Sequence, residues 1–368
     1  MKININFVDG AFCEILDDNN KNKYYVQFIN KETNEILHDG VITSNMWIKS
    51  SFSYFIDYRI RIIDFKSKNL IHEIDYNATS KNVFIWFDSN SLGDNISWIP
   101  FVEEFRLKHN CTVYCSTYQN EIFKSIYPHI KFVEPGKEVH NLYASYSIGC
   151  FNDEFKERKN WKLLNNQEIC ANILGIDYKE IKPPLKILNS TRPIKQKYVC
   201  ISTKSTAACK EWNAENGWKD VVSFLNSKGY KVVLVQKEEV ELLNDPKLDI
   251  ILCNSTDLNV LINMLYNCKF YIGLSSGVSW LSWSLNKPSI LISGMSLEKN
   301  EFFTPFRIIN KNVCHGCWNN PKYKFDRGDW FWCPKLKDTD RQFECSKSIT
   351  SRTVIDNINT LIKHEQTI

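Results

Sequence analysis

Long apolar runs and a strong net charge are both absent from this sequence. No window approaches the roughly 18 apolar residues of a membrane-spanning helix, and Asp9 interrupts the start before the apolar part of a secretory signal develops. The 46 basic and 42 acidic residues leave a net charge of only +4 over 368 residues. This excess is too small to indicate a nucleic-acid-binding protein. We therefore expect a soluble cytoplasmic protein with no membrane span and no nucleic-acid partner.

Motifs of several common enzyme classes are also missing. The sequence contains no Walker P-loop and no Gly-x-Gly-x-x-Gly fingerprint, which disfavours kinase-like and nicotinamide-dependent enzymes. Its seven histidines form no His-Glu-x-x-His pair. The only Asp-x-Asp pair, Asp338 and Asp340, lies among clustered cysteines and away from the other candidate site residues. A catalytic divalent cation is therefore not indicated.

Cysteine is abundant, and its distribution separates two roles. The 13 cysteines are an odd number, which argues against a disulfide framework and for a reducing compartment. Nine are scattered, several inside apolar runs, and we interpret them as small buried hydrophobic residues. Cys314, Cys317, Cys333 and Cys345 are clustered instead. A Cys-x-x-Cys pair followed by two more thiols predicts a tetrahedral metal finger, for which zinc and iron are both suitable.

Hydrophobic patterning predicts an α/β protein of several parts. Short alternating segments rich in β-branched and aromatic residues open the chain and predict antiparallel β structure. Continuous apolar strands then alternate with helices, which is typical of parallel sheets, and a proline-containing break divides them into two lobes with a site expected in the cleft. The predicted parts are an N-terminal antiparallel β domain at 1–80, α/β lobes at 81–190 and 191–310, the four-cysteine segment at 311–348, and a C-terminal helix at 349–368.

The first candidate site is Ser91-Leu92-Gly93-Asp94, which follows the first strand of the first lobe. Ligands of doubly wound sheets bind at this edge. Gly93 allows the backbone to approach a substrate closely, and the Asp94 carboxylate could accept a proton from an attacking hydroxyl. Asp94 could equally serve only as a helix cap, because aspartate is favoured there.

Two further candidate sites lie in the second lobe. The loop Ser202–Asn213 carries hydroxyls and lysines that suit a diphosphate, although a solvated basic loop has the same composition. The segment Gly273–Trp280 leads from a strand through small residues into a helix, whose free amides could bind an anionic oxygen. It also contains Gly-x-Ser-x-Gly around Ser275, but no suitably placed histidine follows, which disfavours a hydrolase.

These motifs, in this order, resemble the bacterial autotransporter O-heptosyltransferases, which are related to the lipopolysaccharide heptosyltransferases of the GT-B fold. The resemblance covers nearly the whole chain, and the four-cysteine segment is its most discriminating part. The other matching motifs are Thr43–Trp47, Ser91–Asp94, Lys210–Asn213 and Gly277–Leu281. The resemblance implies two Rossmann-like lobes and transfer of heptose from ADP-heptose to serines of an autotransporter-type protein before export. Attack of the serine opposite the departing ADP would invert the anomeric carbon.

Residue roles follow from this resemblance. Asp94 matches the family's catalytic aspartate, the general base, and Lys210 matches its donor-diphosphate lysine. Ser275 departs from the lipopolysaccharide enzymes, which carry an acidic residue there. The resemblance also implies iron in the four-cysteine segment and a large homo-oligomer. The donor contacts that it implies are Gly93, Thr206, Lys210, Glu238, Glu239, Ser275, Ser276, Gly277 and Val278.

Two other functions fit the same residues. One is transfer of a different nucleotide sugar to a glycan or lipid, which would still need a base such as Asp94. The other is a non-catalytic binding or assembly protein built around the metal finger, which would need no base.

Overall fold

The structure is a computed structural model that describes residues 1–326 and 328–367. Arg327 of the four-cysteine segment and Ile368 of the predicted C-terminal helix lie outside the described residues. No helix within the described part combines the length and apolar character needed to cross a bilayer. The chain folds into two units: unit 1 comprises Met1–Asn90, Trp98–Trp161 and Gln167–Lys179, and unit 2 comprises Ser91–Ser97, Lys162–Asn166 and the chain from Glu180 onward.

Unit 1 is built on two sheets. Its strands are β1 (Lys2–Val8), β2 (Phe12–Leu16), β3 (Lys23–Asn30), β4 (Ile36–Thr43), β5 (Met46–Lys49), β6 (Tyr58–Asp64), β7 (Leu70–Asp75), β8 (Asn82–Phe87), β9 (Thr112–Ser116), β10 (Lys131–Phe132) and β11 (Ala144–Ile148). One sheet is mixed and has the order β10-β9-β8-β11-β1-β2-β5; the other is antiparallel, in the order β4-β3-β6-β7. Helices α1 (Leu92–His109), α2 (Asn120–Phe123) and α3 (Asn166–Leu174) follow strands of the mixed sheet.

The strands before residue 80 divide between these two sheets. β1 pairs in parallel with β11, with Phe7 opposite Ala144, and antiparallel with β2, which pairs with β5. A separate N-terminal antiparallel domain is therefore not confirmed. Alternating hydrophobicity shows that one face of a strand is covered, but it does not identify the neighbouring strand. The neighbour of β1 comes from more than 130 residues further along the chain.

Unit 1 contains one buried carboxyl group with an unusual proton affinity. Glu157 is 4% exposed; its Oε2 accepts a hydrogen bond from the Phe151 amide at 3.3 Å, and its Oε1 has no partner among the described residues. Burial raises the pKa of the Glu157 carboxyl from 4.5 to about 8. Between these two pH values the folded protein holds a proton that the unfolded chain has lost, so stability is full at acidic pH and falls as the pH rises.

We expect Glu157→Gln to remove this pH dependence. At pH 8.5 the variant should exceed the wild type in free energy of unfolding by a few kcal/mol, at about 1.4 kcal/mol per pH unit of the window, and at pH 4.5 the two should nearly agree. Urea unfolding at both pH values measures the difference. Glu154→Gln, at an exposed position of the same loop, is the control. A gap that is the same at both pH values would contradict the assignment.

Unit 2 contains a parallel sheet. Its strands are β12 (Tyr198–Ile201), β13 (Lys231–Val235), β14 (Ile250–Cys253), β15 (Tyr271–Leu274), β16 (Ser289–Ile292) and β17 (Arg307–Ile308). They are ordered β14-β13-β12-β15-β16-β17, and every pair is parallel. β12, β15 and β16 are buried along their whole length, as expected for strands covered on both faces. The strand order reverses between β12 and β15, where doubly wound folds bind ligands.

Helices cover this sheet and close its core. After Glu180 the structure has α4 (Gly217–Ser227), α5 (Leu258–Asn267), α6 (Gly277–Ser284), α7 (Glu344–Lys347) and α8 (Ser351–Thr367), of which α4, α6 and α8 contact strands of this sheet. α8 contributes Val354, Ile358 and Leu361 to the core, and the Trp212 indole donates a hydrogen bond to the Ile349 carbonyl at 2.8 Å. The four-cysteine segment has little regular structure in its described residues: a 3-10 turn at Cys317–Asn319 and α7. Its side chains form a second, smaller hydrophobic cluster.

Candidate active site

The predicted catalytic and donor-binding residues all lie in unit 2. The first turn of α1 packs directly against α6. A Cβ atom added to Gly93 would lie 2.9 Å from Trp280 Cδ1, and one added to Gly277 would lie 2.7 Å from Leu92 Cβ. Both positions therefore require glycine. Two helices begin side by side here, and their free amide groups and dipoles favour an anionic ligand.

Asp94 lies inside the first turn of α1, because the helix begins at Leu92 and the preceding position is Ser91. Its Oδ1 accepts a hydrogen bond from Asn166 Nδ2 at 3.2 Å, and the same amide nitrogen lies 2.7 Å from Ser97 Oγ. Asp94 is thus not the residue that precedes the helix, and its carboxylate is oriented by a residue 72 positions away. The sequence analysis missed Asn166, for which the asparagine pair Asn165-Asn166 at the start of α3 is the available signal.

Lys210 and Lys204 differ sharply although they share a loop. Lys204 is exposed and pairs with Glu211 at 2.9 Å. Lys210 is half-buried at the end of the 3-10 turn Ala208–Lys210, and its Nζ lies 5.8 Å from the centre of the Trp318 ring. The charge of Lys204 is therefore offset by a carboxylate, whereas Lys210 lies against a neutral aromatic ring. Thr206 is exposed in the same loop.

Glu238 and Glu239 are exposed after β13, at the same edge of the sheet. Gln236 lies between β13 and these two glutamates, and the sequence analysis also missed it. Gln236 Oε1 accepts hydrogen bonds from the Thr203 amide and hydroxyl, each at 2.9 Å, and Gln236 Nε2 donates to the Glu238 carbonyl at 2.8 Å. One amide side chain therefore joins the loops after β12 and β13. A polar residue directly after the buried strand is the signal for it.

Ser275, Ser276, Gly277 and Val278 form the turn from β15 into α6 and are all half-buried. The Ser275 hydroxyl donates a hydrogen bond to Glu301, whose other carboxylate oxygen accepts one from Arg307 Nη1 at 2.5 Å. The Glu301 and Arg307 side chains are 3% and 4% exposed. The partner of Ser275 is thus a buried carboxylate, and the turn that precedes α6 is attached to a buried ion pair.

The four clustered cysteines are all half-buried. Burial raises the pKa of Cys314, Cys317 and Cys345, and the neighbouring Cys333 thiol raises each of them further; the pKa of Cys345 is about 12. The four thiols therefore share one electrostatic environment. No group of three or more histidine, cysteine, aspartate or glutamate residues has metal-binding geometry within 1–326 and 328–367, so the predicted metal finger is not confirmed.

Comparison with known proteins identifies the family of this chain. Glycosyltransferase family 9 (heptosyltransferase) matches residues 147–329. The autotransporter heptosyltransferase Aah of Escherichia coli is 35% identical over 352 residues, which cover 93% of this chain and 89% of Aah. The chain belongs to the autotransporter heptosyltransferase family. It is a glycosyltransferase with an α/β fold of the GT-B type.

Solved structures of one family member agree with this assignment. The dodecameric, iron-containing glycosyltransferase TibC of enterotoxigenic E. coli H10407 superimposes with a TM-score of 0.91 at 31% identity, covering 99% of this chain and 96% of TibC. TibC has also been solved in complex with ADP-D-β-D-heptose. A more distant relative, 28% identical over 98% of this chain and 86% of its own length, is named the inactive autotransporter heptosyltransferase BimC of Burkholderia thailandensis. The family thus includes a protein named inactive.

Proposed function

We propose that this enzyme transfers heptose from ADP-heptose to serine hydroxyls of an autotransporter-type protein before that protein is exported. The single observation that carries the proposal is the packing of α1 against α6. Asp94 lies in the first turn of α1, whose N-terminus packs beside that of α6, and paired helix N-termini suit a diphosphate. The ADP-heptose complex of TibC supports the choice of donor.

Each side of the site supplies a different part of the chemistry. Asp94 would accept the proton of the serine hydroxyl as it attacks the anomeric carbon, and Lys210 with the amides at Ser276 and Gly277 would stabilise the departing diphosphate. Attack opposite the leaving group would invert the anomeric configuration. Glu238 and Glu239 would contact the donor's ribose, and Thr206, Ser275, Val278 and Gly93 would line the donor site. No divalent cation is required in this scheme.

Intact-mass spectrometry tests the proposal. The protein is incubated with ADP-heptose and a serine-rich repeat segment of an autotransporter passenger, and we expect mass increments of one heptose each. UDP-glucose and ADP-glucose serve as matched donors, and a lipopolysaccharide core oligosaccharide serves as a matched acceptor. Transfer from another donor, or to the oligosaccharide alone, would identify a different transferase. Donor binding without any transfer would indicate a non-catalytic role like that implied by the name of BimC.

We further propose that the four-cysteine segment holds one iron per chain. Its donor set fits, because four thiolates favour a soft or borderline metal such as iron or zinc, and a cation would offset the repulsion between neighbouring thiolates. Cys314, Cys317, Cys333 and Cys345 would be the ligands. The metal would cross-link a segment with a small hydrophobic cluster and little regular structure. The iron-containing relative TibC favours iron over zinc.

Cysteine substitution should separate the ligands from the other thiols. We expect on the order of one iron atom per chain in purified protein, and loss of that metal with a lower melting temperature when any one of the four residues is changed to serine. Elemental analysis and thermal melting measure both effects. Cys253→Ser, at a half-buried cysteine outside the cluster, should retain full metal content. Folded wild-type protein without metal would contradict the proposal.

The strands before residue 80 offer a surface for assembly or acceptor docking. β5 is the last strand of the mixed sheet, and its Met46 and Trp47 side chains are exposed. Exposed apolar residues on an edge strand favour contact with another chain. We propose that this surface binds a neighbouring subunit or the acceptor protein in the cytoplasm. The dodecameric relative TibC supports a large homo-oligomer.

A further inference from the structure

The loop that carries Lys210 packs against the four-cysteine segment. Ala207, which precedes the 3-10 turn, and Cys209, which lies within it, belong to the same buried cluster as Trp332, Phe343 and Met295. The Ala208 amide also donates a hydrogen bond to the Trp330 carbonyl at 3.0 Å. The position of Lys210 therefore depends on the fold of the four-cysteine segment.

Trp318, the residue after Cys317, contacts two lysines from different parts of unit 2. Its ring centre lies 5.8 Å from Lys210 Nζ and 5.4 Å from Lys162 Nζ, both within the range of a cation–π interaction. The Trp318 carbonyl also accepts a hydrogen bond from Lys162 Nζ at 2.9 Å. Lys162 is only 4% exposed, so its ammonium group is held in place at this residue.

Lys162 begins the short segment that carries the partner of Asp94. The segment Lys162–Asn166 is fixed at its start by Asn319, whose Nδ2 donates to the Lys162 carbonyl at 3.1 Å. It is fixed further along by Asn165, whose Nδ2 donates to the Glu301 carbonyl at 2.8 Å. Its last residue, Asn166, donates to Asp94. Trp318 is thus adjacent to both the donor lysine and the segment that orients the base.

We propose that Trp318 is a positioning residue for the transfer reaction, through which the four-cysteine segment sets the positions of Lys210 and of the Lys162–Asn166 segment. The inference rests on the proposed function, because it takes Lys210 to be the residue that binds the donor diphosphate. A lysine side chain loses rotamer entropy when it is fixed in one position. Contact with the Trp318 ring restricts the Lys210 side chain before the donor binds, so less rotamer entropy is lost on binding.

An aromatic partner suits this role better than a carboxylate. Glu211 pairs with Lys204 and offsets its charge. The Trp318 ring attracts the Lys210 ammonium but carries no net charge, so the full positive charge remains for a diphosphate. The two lysines of this loop therefore have partners suited to different roles.

Substitution of Trp318 tests the proposal through binding of ADP. We expect Trp318→Leu to weaken ADP binding about 5- to 30-fold, as expected for loss of a cation–π contact of partly desolvated groups, with iron content unchanged. Trp318→Phe retains an aromatic face and should recover most of the affinity. Phe331→Leu is the matched control in the same segment, because Phe331 is 59% exposed, and it should bind ADP like the wild type.

A double substitution separates positioning from general destabilisation. If Trp318 acts through Lys210, Trp318→Leu should change ADP affinity by less than about twofold when Lys210 is already alanine, because effects of coupled residues are not additive. An equal loss in both backgrounds, or no loss in the wild-type background, would overturn the proposal.

Lysine labelling provides a measurement that needs no nucleotide. Brief acylation followed by peptide mass spectrometry should show faster modification of Lys162 and Lys210 in Trp318→Leu than in Phe331→Leu. If wild-type protein fails to bind ADP, the proposed donor class is wrong, and the labelling result alone decides this inference. Equal labelling of both variants would overturn it.

Discussion

Replacing Lys210 by alanine is expected to lower the rate of heptose transfer by roughly 10²–10³, the usual effect of losing one preorganised electrostatic contact to a transition state. The leaving group is a diphosphate, whose negative charge increases as the sugar bond breaks. Lys210 is half-buried on a turn that packs into the hydrophobic cluster of the four-cysteine segment, so its ammonium group is already in place. Initial rates at saturating ADP-heptose measure the effect.

Lys204→Ala is the matched control for this loss. Lys204 lies six residues earlier in the same loop, is exposed, and pairs with Glu211 at 2.9 Å. Removing an exposed, paired lysine costs little, and we expect the rate to change by less than about threefold. Equal losses from both substitutions would show that the loop contributes through its overall positive charge and that the assignment to Lys210 is wrong.

Local pattern was enough to predict the α/β class and the strands of the second lobe with the loops that follow them. The strands around Val199–Ile201 and Lys231–Val235 are short apolar runs followed by polar loops, which is what a strand buried on both faces requires. The Gly277 turn was identifiable for the same reason, because a small residue after a strand and before a helix allows close backbone packing. Such signals depend only on neighbouring residues.

Long-range pairing was not predictable in this way. The parallel neighbour of β1 is β11, from a distant part of the chain. The Glu301 carboxylate, which accepts the hydrogen bond of the Ser275 hydroxyl, lies 26 residues after it. Asn166 donates a hydrogen bond to Asp94, which lies 72 residues earlier in the chain. In the sequence alone, an asparagine pair at this point resembles an ordinary helix start. The four cysteines show the opposite case: their spacing indicates a metal, but within the described residues the spacing alone does not establish the ligand geometry.

Asp94→Asn is expected to abolish transfer while leaving ADP-heptose binding nearly unchanged. A serine hydroxyl is a weak nucleophile at neutral pH, and a carboxylate placed to take its proton contributes typically 10²–10⁴-fold to the rate. The asparagine keeps the shape of the side chain but removes the proton acceptor. Donor affinity should persist because the proposed diphosphate contacts come from Lys210 and the amides that begin α6.

The comparison of two asparagine variants makes this test specific. Asp88→Asn changes an exposed carboxylate shortly before the same helix and should transfer heptose at the wild-type rate. Single-turnover assays with ADP-heptose and a serine-rich acceptor separate the chemical step from binding, which calorimetry with ADP measures independently. If Asp94→Asn transfers heptose at nearly the wild-type rate, Asp94 stabilises only the first turn of α1, and the base is another residue. If it loses donor binding together with transfer, the carboxylate serves the donor site and not the proton.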